Sequence, residues 1–143
     1  MTDTISKSSR SRLMSKIRSK NTKPELVVRK KLHSMGFRFN LYGRYKNTTL
    51  PGKPDIVLPR YKTVIFINGC FWHGHQNCKN FRLPKSNVFY WKKKIRNNIL
   101  RDKKNYASLI ELGWKVLIIW ECELKKSIAE KNIQALTLKI LNK

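Results

Sequence analysis

Acidic side chains are scarce in this sequence, which has 8 Asp and Glu against 32 Lys and Arg and a formal net charge of +24. So large an excess of one sign repels itself in a folded chain, and it indicates a partner of opposite charge. The usual anionic partners of such chains are nucleic acids and membrane surfaces. A strongly basic chain of 143 residues, long enough for one ordinary domain, therefore needs one of these two explanations.

Long apolar runs are also missing. No run approaches the roughly 18 residues that a membrane span requires, and the first residues, MTDTISKSSRSRLMSK, have no apolar core typical of a secretion signal. The basic residues are spread along the whole chain rather than along one amphipathic helix, which disfavours a membrane surface. We therefore expect a nucleic-acid partner, no membrane association and a cytoplasmic location.

Cysteine is limited to three residues, which cannot all pair with one another inside one chain. Without a secretion signal, we expect a reducing cytosol, where metal binding or simple burial is favoured over a disulfide.

The distribution of apolar residues predicts an α/β protein with a basic arm over residues 1–23 and one domain over 24–143. The arm includes a short helical turn around Leu13, Met14 and Ile17 and should bind phosphate. Pro24 and Gly36 bound a helix whose apolar face is predicted to contain Leu26, Val27, Leu32 and Met35. The other predicted elements are strands in FRFNLY, DIVL and TVIFI, a buried central strand in WKVLIIW, a long helix from Val88 to Leu112 and a last helix from Ser127, with a loop over GRYKNTTLPGKP.

The cysteines and one histidine have the spacing of a metal site. Cys70, His75 and Cys78 form a C-x4-H-x2-C pattern, and Cys122 follows the last predicted strand. Three thiolates and one imidazole make a closed tetrahedral Zn²⁺ site, because soft sulfur ligands favour zinc over magnesium. The alternative is that Cys70 and Cys122 are small buried apolar residues. His73 could also replace His75 as the ligand.

Two aspartates lie in unusually apolar surroundings. Asp55 follows Pro54 at the start of a strand, where it either forms a turn or holds a divalent cation against a DNA phosphate. Asp102 continues the apolar stripe of the long helix, so its carboxylate must have a partner. That partner is either one of the many Lys and Arg side chains or a histidine, for which His73 is the natural candidate.

Aromatic rings stand next to the predicted metal site. Phe71 and Trp72 lie between Cys70 and His73, and in a basic protein such rings indicate a wedge that enters a base stack. A mismatched step is easier to open than a paired one, so a wedge can select it. Trp91 is either a third ring of this wedge or a core residue of the long helix.

These residues lie in three segments that resemble the very-short-patch repair (Vsr) endonucleases. The segments are LPGKPDIVLPRYKTVIFINGCFWHGHQNC, FYWKKKIRNNILRDKKN and LGWKVLIIWECEL. The resemblance runs from the basic N-terminal segment to Leu124 and is densest in GCFWHGH. It implies an enzyme that nicks double-stranded DNA 5′ of the thymine in a T:G mispair left by deamination of 5-methylcytosine, and a restriction-endonuclease-like fold. It also implies a monomer that other repair proteins can contact.

The resemblance also implies roles for particular residues. Asp55 would bind Mg²⁺ together with the backbone carbonyl of Ile67, His73 would act as general base with Asp102 supporting it, and Glu25 would lie near them. The structural zinc would be bound by Cys70, His75, Cys78 and Cys122, and the wedge would consist of Phe71, Trp72 and Trp91.

The sequence departs from the family pattern in three places. Asn68 stands where some members carry a second histidine, and it is expected to affect contacts to phosphate or to metal-bound water. One extra residue precedes Cys78. The restriction-enzyme D/E-x-K signature is absent, because Ile67, Asn68 and Gly69 occupy that strand end. Two other functions compatible with the charge are a non-catalytic zinc-containing nucleic-acid-binding protein and a restriction-type nuclease without mismatch specificity.

Overall fold

A mixed four-stranded sheet lies at the centre of the part that the computed structural model describes, residues 20–142. The elements in chain order are helix α1 (Lys23–Ser34), strands β1 (Asn40–Leu41), β2 (Arg44–Tyr45), β3 (Thr48–Thr49), β4 (Ile56–Leu58) and β5 (Thr63–Asn68), helix α2 (Val88–Glu111), strand β6 (Lys115–Trp120) and helix α3 (Ala129–Leu141). The predicted helical turn around Leu13, Met14 and Ile17 lies outside the described residues, as does most of the predicted arm.

The strand order of the sheet is β1-β4-β5-β6, while β2 and β3 form a separate small hairpin. Strands β4 and β5 pair antiparallel, and β5 and β6 pair parallel. Every residue of β5 is buried, as expected for an apolar strand that has a neighbour on each side and helices on both faces. The predicted mixed sheet flanked by helices is therefore confirmed.

Two apolar clusters fill the space on either side of the sheet. One cluster joins α1 and α3 through Val28, Leu32, Ile133 and Leu136. The other contains Leu109 of α2 together with Val57, Val64 and Phe66 of the sheet and Trp114, which precedes β6. Helix α2 therefore covers the face opposite to α1 and α3. No helix among the described residues is long and apolar enough to cross a membrane.

Helix α1 begins at Lys23, one residue before the predicted start, and Thr22 caps it. The Thr22 side chain accepts from the backbone N–H of Glu25, and the Glu25 side chain accepts from the backbone N–H of Thr22, which is a complete capping box. The predicted apolar face was wrong for three of its four residues. Leu26, Val27 and Met35 are exposed, whereas the helix buries Glu25, Val28 and Leu32.

Three further predictions needed correction. Strand β6 lies at the edge of the sheet rather than in its centre, and five of its six residues are only partly buried. The predicted loop GRYKNTTLPGKP contains the β2–β3 hairpin. The strand predicted in FRFNLY is reduced to Asn40 and Leu41, because it pairs with only two residues of β4. The antiparallel pairing of DIVL with TVIFI, helix α2 and helix α3 agree with the predictions.

Candidate active site and metal site

The antiparallel pairing of β4 and β5 brings Asp55 to the end of β5. Ile56 pairs with Ile65, so the residue before β4 lies beside the last residues of β5. There the Asp55 Oδ2 atom accepts a hydrogen bond of 2.7 Å from the backbone N–H of Ile67. Asp55 is thus fixed beside the last residues of β5, as its position at the start of a strand indicated.

Burial raises the pKa of Asp55 from 3.8 to about 7. The hydrogen bond from Ile67 acts in the opposite direction and lowers this pKa, whereas the nearby charge of Glu25 raises it further. The positive field of His73 lowers it slightly. A carboxylate with this environment is poorly solvated and lies next to a second carboxylate, so a bound cation would stabilise its ionised form.

His73 and Asp102 form a direct pair. The distance between His73 Nδ1 and Asp102 Oδ2 is 2.6 Å, and both side chains are mostly buried. The guanidinium of Arg101 is farther from Asp102, at 4.0 Å, and its side chain is largely exposed. Of the two partners considered for Asp102, histidine is therefore the one that the structure brings into hydrogen-bond distance.

Asp55, His73 and Asp102 all line one cleft with a volume of about 1660 Å³. Glu25, Asn68 and Trp72 line it as well. Asn68 is buried, and its side-chain amide donates to the hydroxyl of Tyr106 at 3.0 Å. The basic side chains along the cleft are Lys20, Arg44, Lys46, Lys53, Lys94 and Arg101. The cleft thus combines a cationic lining with buried acids, an arrangement suited to a phosphodiester substrate.

A second cluster contains the four predicted zinc ligands. One ligand atom from each of Cys70, His75, Cys78 and Cys122 lies within 4.8 Å of all the others. His75 belongs to this cluster, whereas His73 contacts Asp102, so His75 and not His73 is the histidine that the structure places with the three cysteines. The His75 ring also stacks on Trp120 at a centroid distance of 4.0 Å. These four side chains could hold a metal ion.

The three thiols of this cluster have different proton affinities. Burial raises the pKa of Cys122 to about 12, and burial also raises the pKa of Cys70. A hydrogen bond from the backbone of Asn80 lowers the pKa of Cys78. Cys78 is therefore the thiol that ionises most readily, and a bound metal ion would have to displace protons from the other two.

The loop between Cys70 and Cys78 is tied to helix α2. Gly74 has a left-handed backbone with φ of +59°, and a Cβ atom there would lie 2.7 Å from Ile99 Cδ1 and 2.9 Å from Ile95 Cγ2. Only glycine permits this approach without displacing the isoleucines. The helix also holds the loop through Asn98, whose side-chain amide donates to the Trp72 carbonyl at 3.0 Å.

The predicted wedge residues form one aromatic cluster. The centroid of Phe71 lies 5.2 Å from that of Trp72 and 5.4 Å from that of Trp91, and the two tryptophan rings are 5.9 Å apart. Trp91 therefore belongs to this cluster, and it is only partly buried. Trp72 is 36% exposed and lines the cleft, so an aromatic ring is available beside His73.

Comparison with known proteins agrees with this geometry. The family model described as "DNA mismatch endonuclease Vsr" matches residues 2–80, which is more than half of the chain. The chain belongs to the Vsr family. It is therefore a member of a family of DNA endonucleases, and the resemblance found in the sequence is confirmed.

Relatives of this Vsr chain cover most of its length. A protein named "Type II nicking enzyme V.NmeAIP" from Neisseria meningitidis is 49% identical over 141 residues, which cover 98% of this chain and 97% of the relative. The "DNA mismatch endonuclease Vsr" of Escherichia coli is 40% identical over 125 residues, 87% of this chain and 77% of the relative. A third, "Type II nicking enzyme V.XorIIP" from Xanthomonas oryzae, is 49% identical over 124 residues, 87% of this chain and 88% of the relative.

Several residues in or around the cleft of this Vsr protein were not predicted from the sequence. Asn98 could have been found from its position one turn before Asp102 on the same helix face. Arg29 stands four residues after Glu25, a spacing typical of ion pairs on a helix. Tyr42 and Tyr106 gave no such signal, because their partners are distant in the sequence.

Proposed function

We propose that this protein nicks double-stranded DNA 5′ of the thymine in T:G mispairs that arise from deamination of 5-methylcytosine, and so begins very short patch repair. The products would be a 5′-phosphate and a 3′-hydroxyl. The observation that carries this proposal is the shared cleft, in which Asp55 lies with the His73–Asp102 pair among basic side chains. Membership of the Vsr family and the name of the Escherichia coli relative support the mismatch as substrate.

The acids of the cleft fit Mg²⁺. Magnesium prefers hard oxygen ligands, often one or two carboxylates together with phosphate oxygens. The Asp55 carboxylate fits this description, and the Ile67 carbonyl belongs to the residue whose N–H already contacts Asp55. Bound there, Mg²⁺ would act as a Lewis acid on the scissile phosphate and stabilise the charge that develops on it. Asp55 and Ile67 would hold the ion at the end of β5.

His73 is suited to remove a proton from the attacking water. When its Nδ1–H donates to Asp102 at 2.6 Å, the Nε2 atom carries a free lone pair that can accept a proton. The Asp102 carboxylate fixes this tautomer and stabilises the imidazolium that forms. Because no D/E-x-K lysine is present after Asp55, His73 is the base that we assign to the reaction. Asn68 would contact the phosphate or a metal-bound water from the end of β5.

We assign the second cluster to a structural Zn²⁺. Three sulfur atoms and one imidazole nitrogen are a complete tetrahedral set with no position left for water. The mutual separation of the ligand atoms, at most 4.8 Å, is compatible with all four reaching one ion. Cys70, His75, Cys78 and Cys122 would thereby hold the loop that carries His73 and Trp72.

The aromatic cluster would supply mismatch selectivity. Inserting rings between base steps costs a few kcal/mol of lost stacking, and the cost is lower where pairing is already weak. Trp72 would enter the stack, with Phe71 and Trp91 supporting it. A restriction-type nuclease without such a cluster would discriminate little between mismatched and matched base steps.

We extend the proposal to the setting of the reaction. The fold would be a variant of the restriction-endonuclease architecture, acting as a monomer in the bacterial cytoplasm at the nucleoid, where other repair proteins could contact it. Residues 1–23 would serve as a basic arm that binds DNA phosphates, since seven of them are Lys or Arg.

A nicking assay tests the proposal against its alternatives. Duplexes with one T:G pair and matched T:A duplexes are incubated with the wild type, with Asp55→Asn and with Glu130→Gln, whose side chain is exposed. We expect nicking of the mismatch alone, loss of nicking in Asp55→Asn and normal nicking in Glu130→Gln. Equal cutting of matched DNA would identify a restriction-type nuclease. Binding of DNA without any cutting would identify a non-catalytic binding protein.

A further inference from the structure

One carboxylate oxygen of Glu25 is held by three donors. The Glu25 side chain is almost completely buried, and its Oε2 atom accepts from the backbone N–H of Thr22 at 3.1 Å and from Arg29 Nη2 at 3.1 Å. The Tyr42 hydroxyl is the third donor, at 3.3 Å, and its single proton is shared between Oε2 and the Asn21 Oδ1 atom at 3.1 Å. Within residues 20–142, all three of these side-chain hydrogen bonds fall on Oε2, and none is found on Oε1. The carboxylate is therefore fixed through one oxygen, which leaves the other for a further ligand.

Arg29 directs both terminal nitrogens of its guanidinium into this cluster. Nη2 contacts Glu25 and the Tyr42 hydroxyl, the latter at 2.5 Å, and Nη1 donates to the Asn21 side chain at 2.8 Å. The Nε atom is buried and has no hydrogen-bond partner in the described part of the chain. A buried donor without a partner destabilises the fold, so the orientation of this arginine is maintained by what its other two nitrogens contact.

Tyr42 connects the two cleft acids to each other. Its hydroxyl contacts Glu25, while its backbone N–H donates to the backbone carbonyl of Asp55 at 3.3 Å. The residue adopts a left-handed backbone with φ of 54°, which is unfavourable for a bulky side chain. Lys20 and Arg29 place their cationic groups over its ring at 5.0 and 5.3 Å. A strained tyrosine held in this way fixes the position of Glu25 relative to Asp55.

The two carboxylates are close enough to affect each other. Both side chains line the same cleft, and Tyr42 contacts both residues. Two neighbouring carboxylates repel each other unless a proton or a cation lies between them. The donors around Glu25 contact Oε2 and the Ile67 N–H contacts Oδ2 of Asp55, so within residues 20–142 Oε1 of Glu25 and Oδ1 of Asp55 are the carboxylate oxygens of this pair that accept no hydrogen bond.

We propose that Arg29 and Tyr42 are positioning residues that hold Glu25 against Asp55, so that the Oε1 atom of Glu25 and the Asp55 carboxylate form one preformed site for a hard divalent cation. This inference rests on the divalent-metal site of the proposed function and adds to it a second carboxylate and the pair that fixes it. We call this arrangement of Glu25 with Arg29 and Tyr42 the clamp. It also substitutes for the missing D/E-x-K motif, because the second acid comes from α1 rather than from β5.

Binding of Mn²⁺ to the zinc-loaded, full-length protein in the absence of DNA tests this site directly. Free and bound Mn²⁺ are measured by electron paramagnetic resonance for the wild type, Asp55→Asn, Glu25→Gln, Tyr42→Phe and the matched control Tyr61→Phe. Tyr61 lies at the turn after β4, where its ring packs on Phe37, and its hydroxyl makes no hydrogen bond to the described residues. We expect one bound Mn²⁺ in the wild type and in Tyr61→Phe.

Loss of either carboxylate should abolish this binding. Tyr42→Phe should weaken it by about 10- to 100-fold, the usual effect of removing a residue that orients a metal ligand. Arg29→Lys is a second variant, because it keeps the positive charge but cannot contact Glu25, Tyr42 and Asn21 together. A purely structural role would instead lower the melting temperature of Tyr42→Phe and leave its Mn²⁺ affinity unchanged.

The results separate this inference from the proposed function. If the wild type nicks T:G duplexes but Tyr42→Phe and Glu25→Gln bind Mn²⁺ normally, the clamp is overturned and the nuclease function stands. If the wild type fails to nick but shows the expected pattern of Mn²⁺ binding, the clamp stands and the function fails. No detectable Mn²⁺ binding by the wild type would overturn the preformed site.

Discussion

His73 and Asp102 are 29 residues apart in the chain, and the imidazole Nδ1 of one lies 2.6 Å from the carboxylate Oδ2 of the other. His73 belongs to the loop between two candidate zinc ligands, and Asp102 belongs to helix α2. The contact therefore joins the candidate metal cluster to the helix that packs against the sheet. The position of the candidate base His73 therefore depends on both the loop and helix α2, so a mutation in either should affect the pair.

Replacing Asp102 by asparagine should slow nicking while leaving DNA binding intact. An amide can hold the ring but not stabilise the imidazolium, and loss of general-base catalysis typically costs about 10²- to 10⁴-fold in rate. Single-turnover nicking of a T:G duplex measures the effect. Glu111→Gln, an exposed acid at the end of the same helix, is the control. A wild-type rate in Asp102→Asn would show that this carboxylate does not support the base.

Asp55→Asn should stabilise the protein in buffer without Mg²⁺. The folded-state pKa of about 7 lies above the ordinary value of 3.8, so the folded protein binds the Asp55 proton more tightly than the unfolded chain does. The free energy of unfolding therefore falls as pH rises from about 4 to 7, and the whole loss is present above pH 7. We expect the free energy of unfolding of Asp55→Asn to exceed that of the wild type by on the order of 2–4 kcal/mol at pH 8.

Urea denaturation at pH 8 and pH 4 tests this expectation, because the gain should shrink toward pH 4. Mg²⁺ added at pH 8 should stabilise the wild type and have little effect on Asp55→Asn. An equal gain at both pH values would mean that the ionised carboxylate is not the source of the instability.

Zinc should dissociate more easily at acidic pH, and the loss of one of the four ligands should weaken zinc binding by the other three. The pKa of Cys122 is about 12, so zinc competes there with a tightly held proton, and its affinity falls as pH falls. We expect one zinc per chain by atomic emission, and faster removal by a chelator at pH 6 than at pH 8. Cys122→Ser should lower both zinc content and melting temperature. Unchanged zinc affinity in this variant would remove Cys122 from the site.

Gly74→Ala should be much more damaging than Gly36→Ala, although both glycines have a left-handed backbone. An added Cβ at Gly74 would collide with Ile95 and Ile99, whereas at Gly36 it would meet nothing within 4 Å. Both variants should lose about 1–2 kcal/mol to backbone strain, and Gly74→Ala about 1–3 kcal/mol more to overpacking. Thermal unfolding compares them, and the nicking rate should fall only in Gly74→Ala, because its loop carries His73. Equal losses would argue against close packing of the loop on α2.

Trp72→Ala should reduce discrimination between T:G and T:A duplexes more than it reduces protein stability. The ring is partly exposed at the cleft, so its removal creates little internal space but takes away the side chain proposed to enter the base stack. The ratio of nicking rates on the two duplexes is the measurement. Leu112→Ala, which removes an exposed apolar side chain at the far end of α2, serves as control. An unchanged ratio would exclude Trp72 from mismatch selection.

Local spacing in the sequence was enough to predict the long helix α2, the antiparallel pairing of β4 with β5 and the grouping of Cys70, His75 and Cys78. Each of these depends on periodicity or on residues that stand near a turn. Cys122 was assigned from the scarcity of cysteine and from its position after a strand. The structure brings it to the other three ligands because β6 runs parallel to β5 and ends at the same edge.

Tertiary packing decided the buried face of α1, the edge position of β6 and which of the candidate partners each acid contacts. Helix α1 buries the side that meets the sheet and α3, and on that side Glu25 stands with Val28 and Leu32, although Leu26 and Val27 are the more apolar neighbours of Glu25. The pairing of His73 with Asp102 and the contact of Tyr42 with Glu25 join residues 29 and 17 positions apart. No local pattern fixes such contacts, because they form only when separate elements pack and buried charges must find partners.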